Sequence, residues 1–456
     1  MKKNNNLNRR RFLHLAGLST VLPVALNGLG FRSLANNRFI DMMVNTAAAT
    51  DKVLVLIQLS GGNDGLNMVI PLDQYSTYNS LRSNIALQES KILKLTNATG
   101  IHPAMSAVKN MFDNGMVNVV QSVTYPNPNL SHFRSTDIWM TGSNYDEYLT
   151  SGWLGRYLES EFPTYPNGYP NEVMPDPPAI QMSAVTSVVI QGNGRTMGIA
   201  LQNPDTFYQL VSGSQTGGTD EPPDTPAGTE LKFLRQIQLQ SQQYASAIKK
   251  AADKAKNLET YPTNNSLADQ LKIVARLIAG GLKTRVYVVS LGGFDTHSAQ
   301  VQSSDTSLGT HATLLSRISA GVNAFINDLT KLNCENRVIS MTFSEFGRRA
   351  ASNASSGTDH GTAMPVFIFG SGVIPGITGK NPDLNDLSNG NLKMQYDFRQ
   401  IYATILSTWF EVKQQTLNNI KLGTFTKLPL LKALPVSVDN EGNSITEFKL
   451  NQNYPN

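Results

Sequence analysis

The chain has 456 residues, of which 40% are hydrophobic and 16% charged, a composition that suits a globular protein with a large buried core and excludes a disordered chain or a membrane bundle. Its formal net charge of +4, part of it at the extreme N-terminus, gives no electrostatic footprint for nucleic acid. A single cysteine, Cys334, excludes an intrachain disulfide and every cysteine-based zinc cluster, so a metal site must use oxygen and imidazole ligands.

In chain order, the first signal is Asn8-Arg-Arg-Arg-Phe-Leu-His-Leu-Ala-Gly17, followed by apolar residues to about Leu26. The basic start, the paired arginines before Phe-Leu and the modestly apolar stretch resemble a twin-arginine export signal. That implies the twin-arginine export machinery as a partner and the periplasm, cell surface or extracellular space as a destination. Residues 1–49 are therefore read as signal and linker, 50–435 as one α/β domain without a transmembrane segment, and 436–456 as a tail. The last residues, Phe448 to Asn456, resemble the opening of a C-terminal sorting domain.

The domain opens with Lys52-Val-Leu-Val-Leu-Ile-Gln-Leu59, an apolar run that predicts a strand buried on both faces. It leads into Ser60-Gly-Gly-Asn-Asp-Gly65, which sets Asn63 and Asp64 at the strand's end. A strand over 116–123 leads through Tyr125-Pro-Asn-Pro-Asn129 to a helix that starts near Ser131. A hydroxyl there lies beside free helix amides, an anion-binding position, although capping is the commoner task of such a serine. Residues 212–230 are rich in Gly, Ser, Thr, Pro and Asp and read as a surface loop; 231–257 and 267–282 carry helical spacing. Arg285-Val-Tyr-Val-Val-Ser-Leu291 is another buried strand and turns on two glycines into Asp295 and His297. After a helix over about 308–332, the strand 337–343 ends in Ser344-Glu-Phe-Gly-Arg-Arg349, and a polar loop carries Asp359 and His360 before the apolar run 364–369. Alternating strands and helices predict a mainly parallel sheet covered on both faces, and such sheets gather their strand ends on one rim.

Each candidate also has a bland role. Asp64 can be a turn former, Arg134 can pair with Asp137 along its helix, Glu345 can pair with Arg348 or Arg349, and Asp359 can merely orient His360. His132 is open between ligand, substrate contact and surface residue, whereas His102 and His311 read as structural or exposed.

Six stretches together resemble the exported family called domain of unknown function 1501: Ser60 to Gly65, His102 to Met105, Tyr125 to Ser135, Gly292 to His297, Ser344 to Arg348 and Asp359 to Gly361. That family resembles the alkaline phosphatase and sulfatase superfamily. The resemblance implies an α/β/α sandwich and a hydrolase of small-molecule or polymeric phosphate or sulfate esters using one or two divalent ions, with zinc, magnesium, calcium and manganese all open. It implies Asp64, Asp295, His297, Glu345, Asp359 and His360 as metal-site residues, Ser131 as nucleophile with His132 and Arg134 beside it, and Asn63 and Arg134 as substrate contacts. Phe346 stands where the superfamily often has a histidine ligand, which leaves open a non-catalytic surface binding or scaffolding protein with a degenerate site.

Overall fold

The computed structural model describes residues 51–212 and 221–432. The export signal within 1–49 and the tail at 436–456 lie outside the described residues, as do residues 213–220 of the stretch 212–230 expected as loop. The main sheet contains β1 (Val53–Ser60), β2 (Val117–Thr124), β3 (Ala179–Gln181), β4 (Gly198–Ala200), β5 (Val286–Gly292), β6 (Val338–Phe343), β7 (Met364–Phe369), β8 (Gly376–Thr378) and β9 (Tyr396–Asp397). Their spatial order is β8-β2-β7-β6-β1-β5-β3-β4, with β9 also paired to β2. Every residue from Val53 to Ile57 is at most 1% exposed, so β1 is covered on both faces, as its unbroken apolar run requires. It pairs in parallel with β5, Leu54 beside Val286, and with β6, Leu54 beside Ile339.

The sheet is mainly parallel, with one exception: β7 runs antiparallel to both β2 and β6. Between Phe343 and Met364 there is no helix to carry the chain back across the sheet, so the return strand lies beside β6 in the opposite sense. This reversal has a functional consequence. The loop carrying Asp359 and His360 enters β7 at the rim where β1, β2, β5 and β6 end, and so joins their ends at one place.

Four helices matter here: α1 (His132–Thr141), α2 (Pro226–Lys254), α3 (Ser266–Ala279) and α4 (Thr310–Lys331). α2 begins before the expected residue 231, because the Thr225 hydroxyl accepts the Gly228 amide and Pro226 fits a first helical turn. α4 buries Leu315, Ile318, Val322, Phe325, Ile326 and Leu329, the stripe of an amphipathic helix lying on a sheet. Because α4 joins β5 to the parallel strand β6, it must start at the carboxyl rim of the sheet; α3, which feeds β5, starts at the same rim and packs along α4. Among the described residues, no helix is long and apolar enough to cross a membrane.

Candidate functional site

His132 opens α1, Asp295 and His297 follow β5, Glu345 follows β6, and His360 precedes β7. The backbone around them is tight. Gly62 has φ +74°, and a Cβ there would lie 2.3 Å from the Phe346 ring, so only glycine fits. The Phe346 ring is 1% exposed and packs 4.8 Å from the His132 ring and 4.5 Å from the His360 ring, centroid to centroid. Phe346 thus forms an apolar wall behind two imidazoles.

The three histidines share one arrangement. His132 Nδ1 lies 2.7 Å from Glu345 Oε1, His360 Nδ1 lies 2.9 Å from the Leu130 carbonyl, and His297 Nδ1 lies 3.4 Å from Asp359 Oδ1. An oxygen acceptor at Nδ1 puts the proton there and leaves the Nε2 lone pair free, the arrangement usual for metal-binding imidazoles. All three Nε2 atoms turn toward Asp295. His132 Nε2 is 3.6 Å from Asp295 Oδ2, while His297 Nε2 and His360 Nε2 are 3.2 and 3.6 Å from Oδ1. His297 Nε2 and His360 Nε2 stand 2.9 Å apart. Two lone pairs at that distance repel unless a proton or a cation sits between them.

The ligand atoms of His132, Asp295 and His360 all lie within 4.8 Å of one another, and those of His297, Asp295 and His360 within 3.6 Å. Tetrahedral bonds of about 2.0–2.1 Å to nitrogen and oxygen imply ligand-to-ligand edges of about 3.3 Å. The contacts of 2.9 to 3.6 Å around Asp295 bracket that value. These separations suit neighbouring ligands of one cation.

Charge supports the same protonation states. Burial raises the Asp295 carboxyl pKa, but the hydrogen bond and charge of Arg348, with His297 and His132 adding to them, hold it below the ordinary carboxylate range. Burial, with lesser help from Arg348 and the other two imidazoles, holds His360 below the usual histidine value, against the opposing pull of the Leu130 carbonyl. An ionised carboxylate and a neutral imidazole are the forms that bind metal.

Other expected residues have different tasks. Asp64 is fully buried and lies 2.8 and 2.9 Å from the Arg82 guanidinium and 2.6 Å from Gln300 Nε2, so its carboxylate closes a buried ion pair instead of facing the histidines. Glu345, 2% exposed, accepts the Gly61 amide at 2.9 Å and the Ser344 hydroxyl at 3.2 Å as well as His132, which makes it the partner that orients an imidazole. Asp359, expected as a metal-site residue or as the partner of His360, instead faces His297 Nδ1. Asn63, expected as a substrate contact, is buried, with its Oδ1 3.0 Å from His311 Nε2 and its Nδ2 3.0 Å from Met68 Sδ. Arg134 bonds Asp137 and the carbonyls of Asn144, Tyr145 and Glu147 through its two terminal nitrogens, so it pins the 144–148 loop; its Nε is buried without a partner. Ser131 is exposed at the N-cap position of α1, and its side chain makes no cap hydrogen bond.

Sequence reasoning missed Arg82 and assigned Arg348 the wrong partner. Arg348, 1% exposed, bonds the carbonyls of Gly61, Gly62, Phe294 and Thr358, and Asp295 Oδ1 at 2.7 Å. It ties three loops together and positions the cluster's only carboxylate ligand. The linear sequence does not mark this role, since Arg348 lies 286 residues beyond Gly62 and 53 beyond Asp295.

A mixed α/β protein with a histidine and aspartate cluster at the carboxyl rim of its sheet is thus defined. The chain belongs to the family described as "Protein of unknown function (DUF1501)", whose model matches residues 51–421. No curated protein matches the sequence. Among solved structures, it is similar to Ps i-CgsB in complex with k-i-k-neocarrahexaose, at 11% identity and a TM-score of 0.37 over 83% of this chain and 75% of that one. It is also similar to a mutant of the alkaline phosphatase PafA, at 11% identity and a TM-score of 0.30 over 65% of this chain and 63% of that one. A third is the alkaline phosphatase from the Antarctic bacterium TAB5, at 10% identity and a TM-score of 0.29 over 71% of this chain and 92% of that one.

Proposed function

We propose that the protein is an exported metal-dependent hydrolase of phosphate or sulfate esters, built around one cation held by His132, His297, His360 and Asp295. The observation that carries this reading is the convergence of three Nε2 lone pairs on one carboxylate, with the His297 and His360 nitrogens 2.9 Å apart. A set of imidazoles with one carboxylate suits zinc, or another transition metal that favours nitrogen, better than magnesium or calcium. Such a cation, when bound, supplies Lewis acidity toward a phosphoryl or sulfuryl oxygen.

The chain's own residues do the rest. Glu345, Asp359 and the Leu130 carbonyl hold the imidazoles in one tautomer, and Arg348 keeps Asp295 ionised and aimed. Phe346 keeps water from the inner side of two rings. Ser131 offers an uncapped hydroxyl beside the first amides of α1, which favour a negatively charged ester. In displacement by this serine, its oxygen bonds to phosphorus or sulfur, the ester oxygen leaves with a proton, and water releases the acid. If water attacks directly, Ser131 instead hydrogen-bonds the anion.

Metal analysis of the purified protein, with assays on aryl phosphates, phosphodiesters and aryl sulfates, tests the reading. Turnover lost on replacing His360 supports it. A tightly held cation without turnover of any ester class would favour the rival, a surface binding protein that keeps a metal for structure. Unchanged turnover in Ser131→Ala would assign the attack to water.

A further inference from the structure

Beyond the metal cluster, the same rim holds an open polar groove. A cavity of about 670 Å³ lies between the beginnings of α3 and α4, walled by Pro103, Asn264, Asn265, Ser316 and Arg317 among others. A second, of about 530 Å³, shares Gln302, Gly309, Thr313 and Arg317 with it and extends to Ala299, two residues beyond His297. The two form one trough running from the His297 loop across the first turns of α4. Its walls are fixed. Asn265 caps α3 and donates to the Arg317 carbonyl at 2.8 Å, the His311 amide donates to Gln300 at 3.1 Å, and a Cβ at Gly309 would lie 2.7 Å from Val301.

The lining chemistry is specific. Among the described residues, the Arg317 guanidinium has no carboxylate or carbonyl partner, and the side chains of Asn264, Gln302 and Ser316 also lack hydrogen-bond partners. Asp305, which holds Ser307 on the same wall, is already neutralised by Lys91 at 2.6 Å. Amide and hydroxyl groups suit the hydroxyls of a sugar chain, and a single unpaired guanidinium suits one sulfate, phosphate or carboxylate. Nucleic acid would instead require a row of cations. The size is that of a site for a few sugar units.

The geometry points to this trough as a subsite for a sparsely charged anionic polysaccharide, with Arg317 binding an anionic group some units away from the ester at the metal. This assignment rests on the ester-hydrolase reading, but its test does not require turnover. The purified mature chain is run in native gels containing sulfated, phosphorylated or uncharged polysaccharides, or single-stranded DNA, and mobility is compared with that of Arg317→Gln, Ser316→Trp and His360→Ala. At least one anionic polysaccharide should retard the wild type, with the retardation at least about fivefold weaker in Arg317→Gln, which removes the cation, and in Ser316→Trp, which fills the trough. His360→Ala, which disturbs only the metal end, should still be retarded, and Arg317→Gln should keep wild-type turnover of a small aryl ester that does not reach the trough, so failure of the hydrolase reading and failure of the subsite are separable. The assignment is overturned if no anionic polysaccharide retards the protein, if DNA retards it equally, or if Arg317→Gln migrates like the wild type. Thermal melting shows that each variant is folded; Arg317 makes no side-chain hydrogen bond among the described residues whose loss would weaken the fold.

Discussion

Replacing Asp64 with asparagine removes one negative charge and almost no volume from a site where neither Asp64 nor Arg82 has any exposed side-chain surface. The Arg82 guanidinium keeps its bonds to the carbonyls of Ala350, at 3.0 Å, and Arg349, at 2.8 Å, but becomes a buried charge without a counter-charge. Breaking one side of such a pair costs about 3–5 kcal/mol, because the remaining ion keeps its desolvation penalty. With an unfolding entropy of about 2.1 cal/mol/K per residue, a folded part of about 380 residues would lose roughly 4–6 °C in melting temperature. Differential scanning calorimetry measures the loss, and metal content is determined on the same sample. Asp64→Asn should melt lower and keep its cation. A variant that melts like the wild type but loses its cation would refute this reasoning and make Asp64 a ligand.

Further expectations follow from particular contacts. Glu345→Gln should weaken cation affinity about 10–100-fold, the usual effect of losing the carboxylate behind a metal-binding histidine, and a competitive chelator titration reads this directly. Gly62→Ala combines an unfavourable positive φ with a clash against Phe346. It should cost at least about 1–2 kcal/mol from the backbone alone, and the further substitution Phe346→Leu should recover part of the loss in urea denaturation. Burial pushes the pKa of His311 down to about 4 and, with His311 adding to it, that of His102 down to about 3. Below the unfolded-state value of about 6.5 the unfolded chain binds these protons and the folded chain does not, so stability is complete above that pH and falls as the pH drops toward 4. At about 1.4 kcal/mol per pH unit, His311 alone accounts for about 3 kcal/mol. His311→Gln should flatten the pH dependence between 6.5 and 4; an unchanged slope would mean that the imidazole is not held neutral.

The strands were legible because each is a continuous apolar run, and their glycine-led ends marked the rim; Val53–Ser60 and Val286–Gly292 start and stop within a residue of the expected positions. The antiparallel sense of Met364–Phe369 was not, since it depends on what the preceding loop lacks. Site residues were legible as a set but not by task. Asp64 and Glu345 look like ligands in a linear reading, and only three-dimensional packing shows that Arg82, 18 residues further on, neutralises the first and that His132, 213 residues earlier, engages the second. Arg348 was hidden for the same reason: its partners come from loops 53 and about 286 residues away. His132 changed most in standing, from an ambiguous neighbour of Ser131 to one of three converging imidazoles.

The central claim is one cation held by three imidazoles and Asp295, and equilibrium dialysis of the chelator-stripped protein against zinc or manganese tests it most directly. About one equivalent per chain is expected for the wild type, and loss of that equivalent when His132, His297 and His360 are replaced together, with the variant still unfolding cooperatively. Retention of the cation by the triple variant, or no cation bound by the wild type, would contradict it.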